Sequence, residues 1–170
     1  MKCIKTQKNS RGCLICGMEN PFGLQATFYE LEDNSVASVF SFRKEHQSYP
    51  ERTHGGMISA LLDEIMGRPL WIKEPKSYGV TTTLNITYRR PVPFGVPVKA
   101  RGYFTFESER GFSARGEIYS MDGKLLAEGS ARYLKLKSAS AFSGDVHEDD
   151  EMCYDMPFEI QEIDFPEKKI

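Results

Sequence analysis

The sequence predicts an α+β fold in which one antiparallel β-sheet wraps around one central α-helix. Three observations carry this expectation: β-forming segments fall into two groups, a single good helical stretch lies between them, and the turns within each group are short and explicit. After a polar start and the Asn20-Pro21-Phe22-Gly23 turn, residues 24–31 are rich in β-formers until Glu32-Asp33-Asn34-Ser35 breaks them. Residues 36–42 follow as the second arm of a hairpin. Residues 43–56 are polar and turn-rich, and they lead into the helical stretch 57–66, which Gly67 and Pro69 stop. Four further strands are expected at 79–88, 98–107, 112–120 and 125–137. Between them lie Pro91-Val92-Pro93-Phe94-Gly95, Glu109-Arg110-Gly111 and Met121-Asp122-Gly123-Lys124, the last being an Asp-Gly hairpin signal. Short loops make successive strands antiparallel neighbours, so one helix is left to cover the sheet's apolar face.

At 170 residues the chain has the size of one domain. We divide it into a folded domain over 1–137, whose residues 1–22 form an N-terminal extension with a Cys-x-x-Cys turn, and an acidic tail over 138–170. No apolar run reaches the length of a membrane span, and the N-terminus, MKCIKTQKNSRG, lacks the apolar stretch of a secretory signal. A soluble, cytoplasmic protein is expected. The net charge of −2 hides an asymmetry: ten of the 24 acids but only Lys168 and Lys169 of the 22 bases lie in 145–170, which leaves residues 1–144 at +6. Such a body suits a polyanionic ligand, or else body and tail neutralise each other. Nucleic acid is not an expected partner, because no basic helix, Lys/Arg run or aromatic-basic repeat appears. The first part of the tail is expected to be mobile, and Phe158, Ile160, Ile163 and Phe165 to dock either on the body or on a partner.

Cys13-Leu-Ile-Cys16-Gly17 is half of a zinc-ribbon pattern, and no second Cys or His pair stands at a suitable spacing. These thiols are therefore expected to be small buried hydrophobes in an N-terminal turn, with no metal and no cofactor.

The helix carries the chemistry. At about 100° per residue, Ile58, Leu61, Leu62 and Ile65 share one face, with Met57 and Met66 at its margins. Almost opposite stand Ser59, Asp63 and Gly67 in line, with Ala60 beside them. One carboxylate is thus ringed by residues with little side chain, and only Glu64 and Arg68 nearby are of the long, charged kind that a solvated face carries. The stripe is either such a face or a surface that lets a ligand approach. Directly before the first turn stands His54-Gly55-Gly56, where N–H groups lack intrahelical partners and the macrodipole is positive. Glycines there let a polarised oxygen come close, or serve as a loose N-cap.

The stretch Tyr49-Pro-Glu-Arg-Thr-His-Gly-Gly-Met-Ile-Ser-Ala-Leu-Leu-Asp-Glu64 resembles the signature of the PaaI-type (4-hydroxybenzoyl-CoA thioesterase-like) hotdog thioesterases, in which His-Gly-Gly leads a helix bearing an Asp or Glu nine residues after the His. Residues 13–28 resemble a Cys-x-x-Cys-Gly…Asn-Pro-x-Gly-Leu element of one branch, and 81–95 resemble a strand ending in Arg-Pro-Val-Pro-x-Gly. The resemblance implies hydrolysis of a small or medium acyl-CoA, with His54 and Gly55 at the helix start, the Gly55 N–H polarising the thioester carbonyl, and Asp63 acting as base or nucleophile. Gly56, Ser48, Ser59, Thr81, Arg89 and Arg90 are then expected to bind substrate. Ser48 departs from the Asn or Gln of many relatives and reaches less far. Gly55 and Asp63, eight residues apart, are separated by about 12 Å along one helix, so a homodimer or homotetramer with sites shared between subunits is expected. The alternatives are a non-catalytic acyl-CoA-binding protein, which would keep the pocket without needing Asp63, and a hydratase, for which no separate Asp-and-His dyad is found.

Overall fold

Helix α1 (Gly55–Gly67) packs against one face of a seven-stranded antiparallel sheet in the computed structural model, which describes residues 1–137 and 153–166. The helix starts two residues earlier than its apolar periodicity because His54 caps it: the His54 backbone is extended and its Nδ1 accepts the Gly56 N–H at 2.9 Å. It ends as expected at Gly67, and a short helix α2 (Leu70–Lys73) follows Pro69. Ile58, Leu61, Leu62, Ile65 and Met66 are all buried. Each such side chain contributes about 1.5–3 kcal/mol by leaving water.

The strands are β1 (Cys3–Thr6), β2 (Tyr29–Leu31), β3 (Val36–Ser41), β4 (Tyr78–Tyr88), β5 (Pro97–Glu107), β6 (Gly111–Ser120) and β7 (Leu125–Leu136), in the order β1-β2-β3-β5-β6-β7-β4. The four long strands lie within two residues of their sequence-derived bounds. Gly123, with φ +85°, takes the left-handed turn position that the Asp-Gly pair requires. Three points differ from expectation. The first hairpin arm is a strand only over Tyr29–Leu31, because residues 24–28 instead run beside the Cys13–Cys16 turn, with the Leu24 and Ala26 N–H groups bonded to the Leu14 and Ile15 carbonyls. Strand β1 pairs with β2 where the polar N-terminus gave no β signal. Strand β4 does not pair with β5 but crosses to the far edge beside β7, Thr81 standing opposite Tyr133 and Ile86 opposite Gly129.

A row of glycines lets the helix come close. Gly102, Gly116 and Gly129 are successive partners across β5, β6 and β7. A Cβ on Gly102 would stand 1.9 Å from the Ile65 carbonyl oxygen and one on Gly116 2.8 Å from Met66 Cγ, while one on Gly129 would stand 3.3 Å from Met66 Cε and 2.7 Å from Ile86 Cδ1 of β4. The C-terminal half of α1 therefore rests on bare backbone. Arg68, one of the two long charged residues near the acid, is buried: only 1% exposed, its guanidinium lies 4.0 Å over the Phe28 ring and 4.6 Å over Trp71.

The apolar residues of the tail dock on this chain's own body. Ile163 is buried with Cys3, Tyr29, Leu31 and Ala37, and Phe165 packs edge-on to Tyr119. The tail runs along the β1 edge, bridging Lys2 to Glu162 and Asn9 to Tyr154, with the Cys3 N–H donating to the Gln161 carbonyl at 2.8 Å. The expected mobility of the first part of the tail falls on residues 138–152, outside the described residues. Among the described residues no helix is long and apolar enough to cross a membrane.

Candidate active site

Asp63 sits two turns into α1, on the side facing β4 and β7. Thr81 and Tyr133, partners across those strands, converge on it. The Thr81 hydroxyl donates to Asp63 Oδ1 at 2.8 Å; the Tyr133 hydroxyl lies 3.0 Å from the same oxygen and 2.8 Å from the Asp63 carbonyl, so its one proton is shared between them. Burial and the nearby Asp63 charge push the Tyr133 phenol upward, which keeps it a donor at every physiological pH. Its ring is fixed by stacking on Phe112, centroids 4.6 Å apart. Oδ1 is thus anchored twice, while Oδ2 has no protein partner among the described residues. The carboxylate opens on a cleft of about 100 Å³ lined by Asp63, Gly67, Trp71, Gly79, Thr81 and Tyr133, with Glu64 and Arg68 completing its wall.

Sequence reasoning placed Thr81 among substrate-binding residues on resemblance; its contact is with the acid. Tyr133 escaped notice because it is 70 positions from Asp63 and looks like any strand aromatic. A signal existed, since a strand Tyr needs a partner for its hydroxyl when buried.

The other residues cluster at the start of α1. The Gly56 N–H is occupied by His54, whereas the Gly55 N–H meets no acceptor among the described residues. Tyr88, also unforeseen, donates its hydroxyl to the Gly55 carbonyl at 3.0 Å and lies 2.7 Å from Ser59 Oγ. The helix start is held from below by buried His46, whose carbonyl accepts the His54 N–H at 2.8 Å. Ser48 is exposed in the preceding loop, its N–H bonded to the Arg52 carbonyl. Arg89 pairs with Glu128 across the strands at 2.7 Å, and Arg90 donates to the Leu125 carbonyl at 2.7 Å. Within one chain the structure therefore gathers two groups, Asp63–Thr81–Tyr133 and His54–Gly55–Gly56–Ser59–Tyr88, while the bonds named for Ser48, Arg89 and Arg90 run to other residues.

Cys13 and Cys16 are free thiols beside the acid's neighbour Glu64, Cys13 Sγ lying 4.0 Å from Glu64 Oε2. A hydrogen bond from the Cys16 thiol, helped by backbone N–H groups, lowers Cys13 to about 6 against the opposing effects of burial and the Glu64 charge. Cys16 is pushed up in turn.

Residues 52–127, the span from the loop before α1 into β7, match the thioesterase superfamily. The chain is 29% identical over 112 residues to mouse acyl-coenzyme A thioesterase THEM4, a match covering 65% of this chain and 47% of that protein, so the chain spans about half the length of the curated relative it matches. Among solved structures it resembles a Bacillus halodurans protein crystallised with CoA (TM-score 0.60, 25% identity, covering 68% of this chain and 76% of that one). It also resembles a mutant of the phenylacetic acid degradation protein PaaI from Thermus thermophilus (TM-score 0.58, 26% identity, covering 66% and 95%). Sheet, central helix and matched span agree: the chain has the hotdog fold, and its residues 52–127 are similar to the thioesterase superfamily.

Proposed function

We propose that this protein hydrolyses a small or medium acyl-CoA to the free carboxylic acid and coenzyme A, at a site shared between two copies of the chain. The observation that carries the reading is the Asp63 carboxylate, which lines a cleft with Oδ1 anchored by Thr81 and Tyr133 and Oδ2 without a protein partner among the described residues. Oδ2 either takes a proton from the attacking water or itself attacks the carbonyl carbon, forming a mixed anhydride that water then hydrolyses at the acyl carbon to regenerate the carboxylate. The C–S bond breaks, the thiolate leaves and takes up a proton, and water's oxygen ends in the acid. Polarisation of the carbonyl falls to the Gly55 N–H, the donor at the positive end of α1.

Two observations support a shared site. A cleft of about 100 Å³ is well below the roughly 300–1,000 Å³ of ordinary ligand pockets, so one chain encloses too little of an acyl-CoA. Strand β4 forms a sheet edge with Leu84 and Tyr88 exposed along it, which suits pairing with a second copy in a homodimer, alone or doubled in a homotetramer. The acyl-CoA assignment draws on the mouse relative and on the CoA-bound Bacillus protein. The four free thiols suit a reducing, cytoplasmic setting. The test is Asp63→Asn, which keeps size and removes the base: release of free thiol from acyl-CoA esters is expected to fall by about two powers of ten or more. Turnover close to that of the unmodified protein would overturn the mechanism.

A further inference from the structure

Along the sequence, Cys13 and Cys16 are half of a metal motif without its second half. The fold brings up another donor. Cys13 Sγ, Cys16 Sγ and a Glu64 carboxylate oxygen all lie within 4.8 Å of one another, although Glu64 is 51 positions beyond Cys13. Around a tetrahedral zinc ion, sulfurs at about 2.3 Å and an oxygen at about 2.0 Å stand roughly 3.5–3.8 Å apart. The 4.0 Å between Cys13 Sγ and Glu64 Oε2 therefore needs a closure of a few tenths of an ångström. We infer that Cys13, Cys16 and Glu64 form a binding site for a zinc-class divalent cation, with water as the fourth ligand.

The surroundings are built for it. The Ile15 and Cys16 N–H groups point at Cys13 Sγ from 3.3 and 3.5 Å, the arrangement that stabilises a thiolate. Gly17 is required by this turn, since a Cβ there would stand 2.3 Å from the Cys13 carbonyl oxygen. Ser10 Oγ lies 3.3 Å from Cys16 Sγ. On the helix side, Arg68 Nε donates to Glu64 Oε1 at 2.9 Å, which turns Oε2 toward the sulfurs. Two thiolates, one carboxylate, one guanidinium and a divalent ion sum to zero, so the loaded cluster is neutral as it lies against the core. Thiolates select zinc over magnesium or calcium, and loading releases the thiol protons still held at the working pH. The ion would clamp the N-terminal turn onto α1 at the residue next to Asp63.

The test uses the full chain grown with added zinc and passed into metal-free buffer. Elemental analysis is expected to find one zinc per chain, and cobalt(II) in its place to give thiolate-to-cobalt absorption in the near ultraviolet. Cys13→Ser should abolish that absorption, and Glu64→Gln should weaken zinc binding by about tenfold or more. Folded unmodified chain that takes up neither ion while both thiols react freely overturns the proposal. So does a mass about 2 Da lower from a Cys13–Cys16 disulfide, which would assign the pair to redox chemistry instead. Undiminished zinc affinity in Glu64→Gln would remove the third donor and with it the site as stated. The readouts on unmodified chain decide the matter even where a variant fails to fold.

Discussion

The two oxygens of Asp63 have different surroundings, and that difference is the core of the site. Oδ1 accepts from Thr81 and is within reach of the Tyr133 hydroxyl; Oδ2 has no protein partner among the described residues, and the residue lines the cleft. A hydrogen bond to a charged group contributes about 1.5–3 kcal/mol, so loss of either hydroxyl should let the carboxylate swing. For Tyr133→Phe, whose ring still stacks on Phe112, we expect the turnover number to fall about tenfold or more, with a melting temperature lowered by a few degrees and the fold retained at assay temperature. Steady-state kinetics paired with thermal unfolding checks this. An unchanged turnover number would leave the Tyr133 hydroxyl as part of the packing alone.

Among the elements, the helix and the strand trio β5-β6-β7 meet at the glycine row, and the closest approach is at Gly102. A methyl 1.9 Å from the Ile65 carbonyl oxygen has to displace backbone, which no rotamer change can relieve. Gly102→Ala is expected to destabilise the fold by about 3 kcal/mol or more, read as a lower denaturant midpoint. Gly12→Ala, with open space around its Cβ, serves as the control. At the other end of β7, Lys135 bonds Glu74 at 2.6 Å and Glu107 at 2.9 Å. Hydrogen bonds from Lys135 and Ser77 hold Glu74, and those from Lys73 and Lys135 hold Glu107, below the usual glutamate value of 4.5. Burial works against the charge of Lys135, but its bonds to the two glutamates raise it. A carboxylate lowered on folding stabilises above its unfolded value and stops doing so as pH falls through its folded one. The stability advantage over Lys135→Met should therefore be present at pH 7 and shrink below about pH 4.5. Denaturant midpoints of both proteins across that range provide the measurement, and a gap that does not narrow would contradict it.

For the whole molecule the central question is which copy supplies each half of the site. Gly55 and Asp63 are about 12 Å apart along α1, and the Gly55 N–H is free among the described residues. Gly55 does not have positive φ, so proline, which suits the first helical position, can remove that N–H without a forbidden backbone. A Cβ there would stand 3.3 Å from the Tyr88 hydroxyl, and circular dichroism must first establish that the variant folds. Gly55→Pro and Asp63→Asn are each expected to be inactive as pure proteins. After the two are unfolded and refolded together, activity should return, because one site of a mixed dimer draws an intact donor and an intact acid from opposite chains. Mixed dimers as inactive as their parents would place both groups of each site in one chain.

Much of this was legible along the chain because local periodicity records which side of an element is buried. The helix face Ile58–Leu61–Leu62–Ile65, the four long strands and the Asp122-Gly123 turn follow from spacing and turn chemistry, whereas the stripe of small residues around Asp63 left a solvated face and a ligand surface both open, and the family resemblance chose between them. What joins distant segments has no such local record. That β4 crosses to β7 rather than pairing with β5, that Tyr133 reaches Asp63, that Glu64 meets Cys13, and that three unremarkable glycines line up beneath α1 all depend on long-range register. An alternating strand offers similar edges to several neighbours, and the choice among them comes from the packing of the entire sheet against one helix. The tail illustrates the same limit: Ile163 and Phe165 are readable as apolar, but their docking beside β1 exists only once β1 and β2 have formed the surface that receives them.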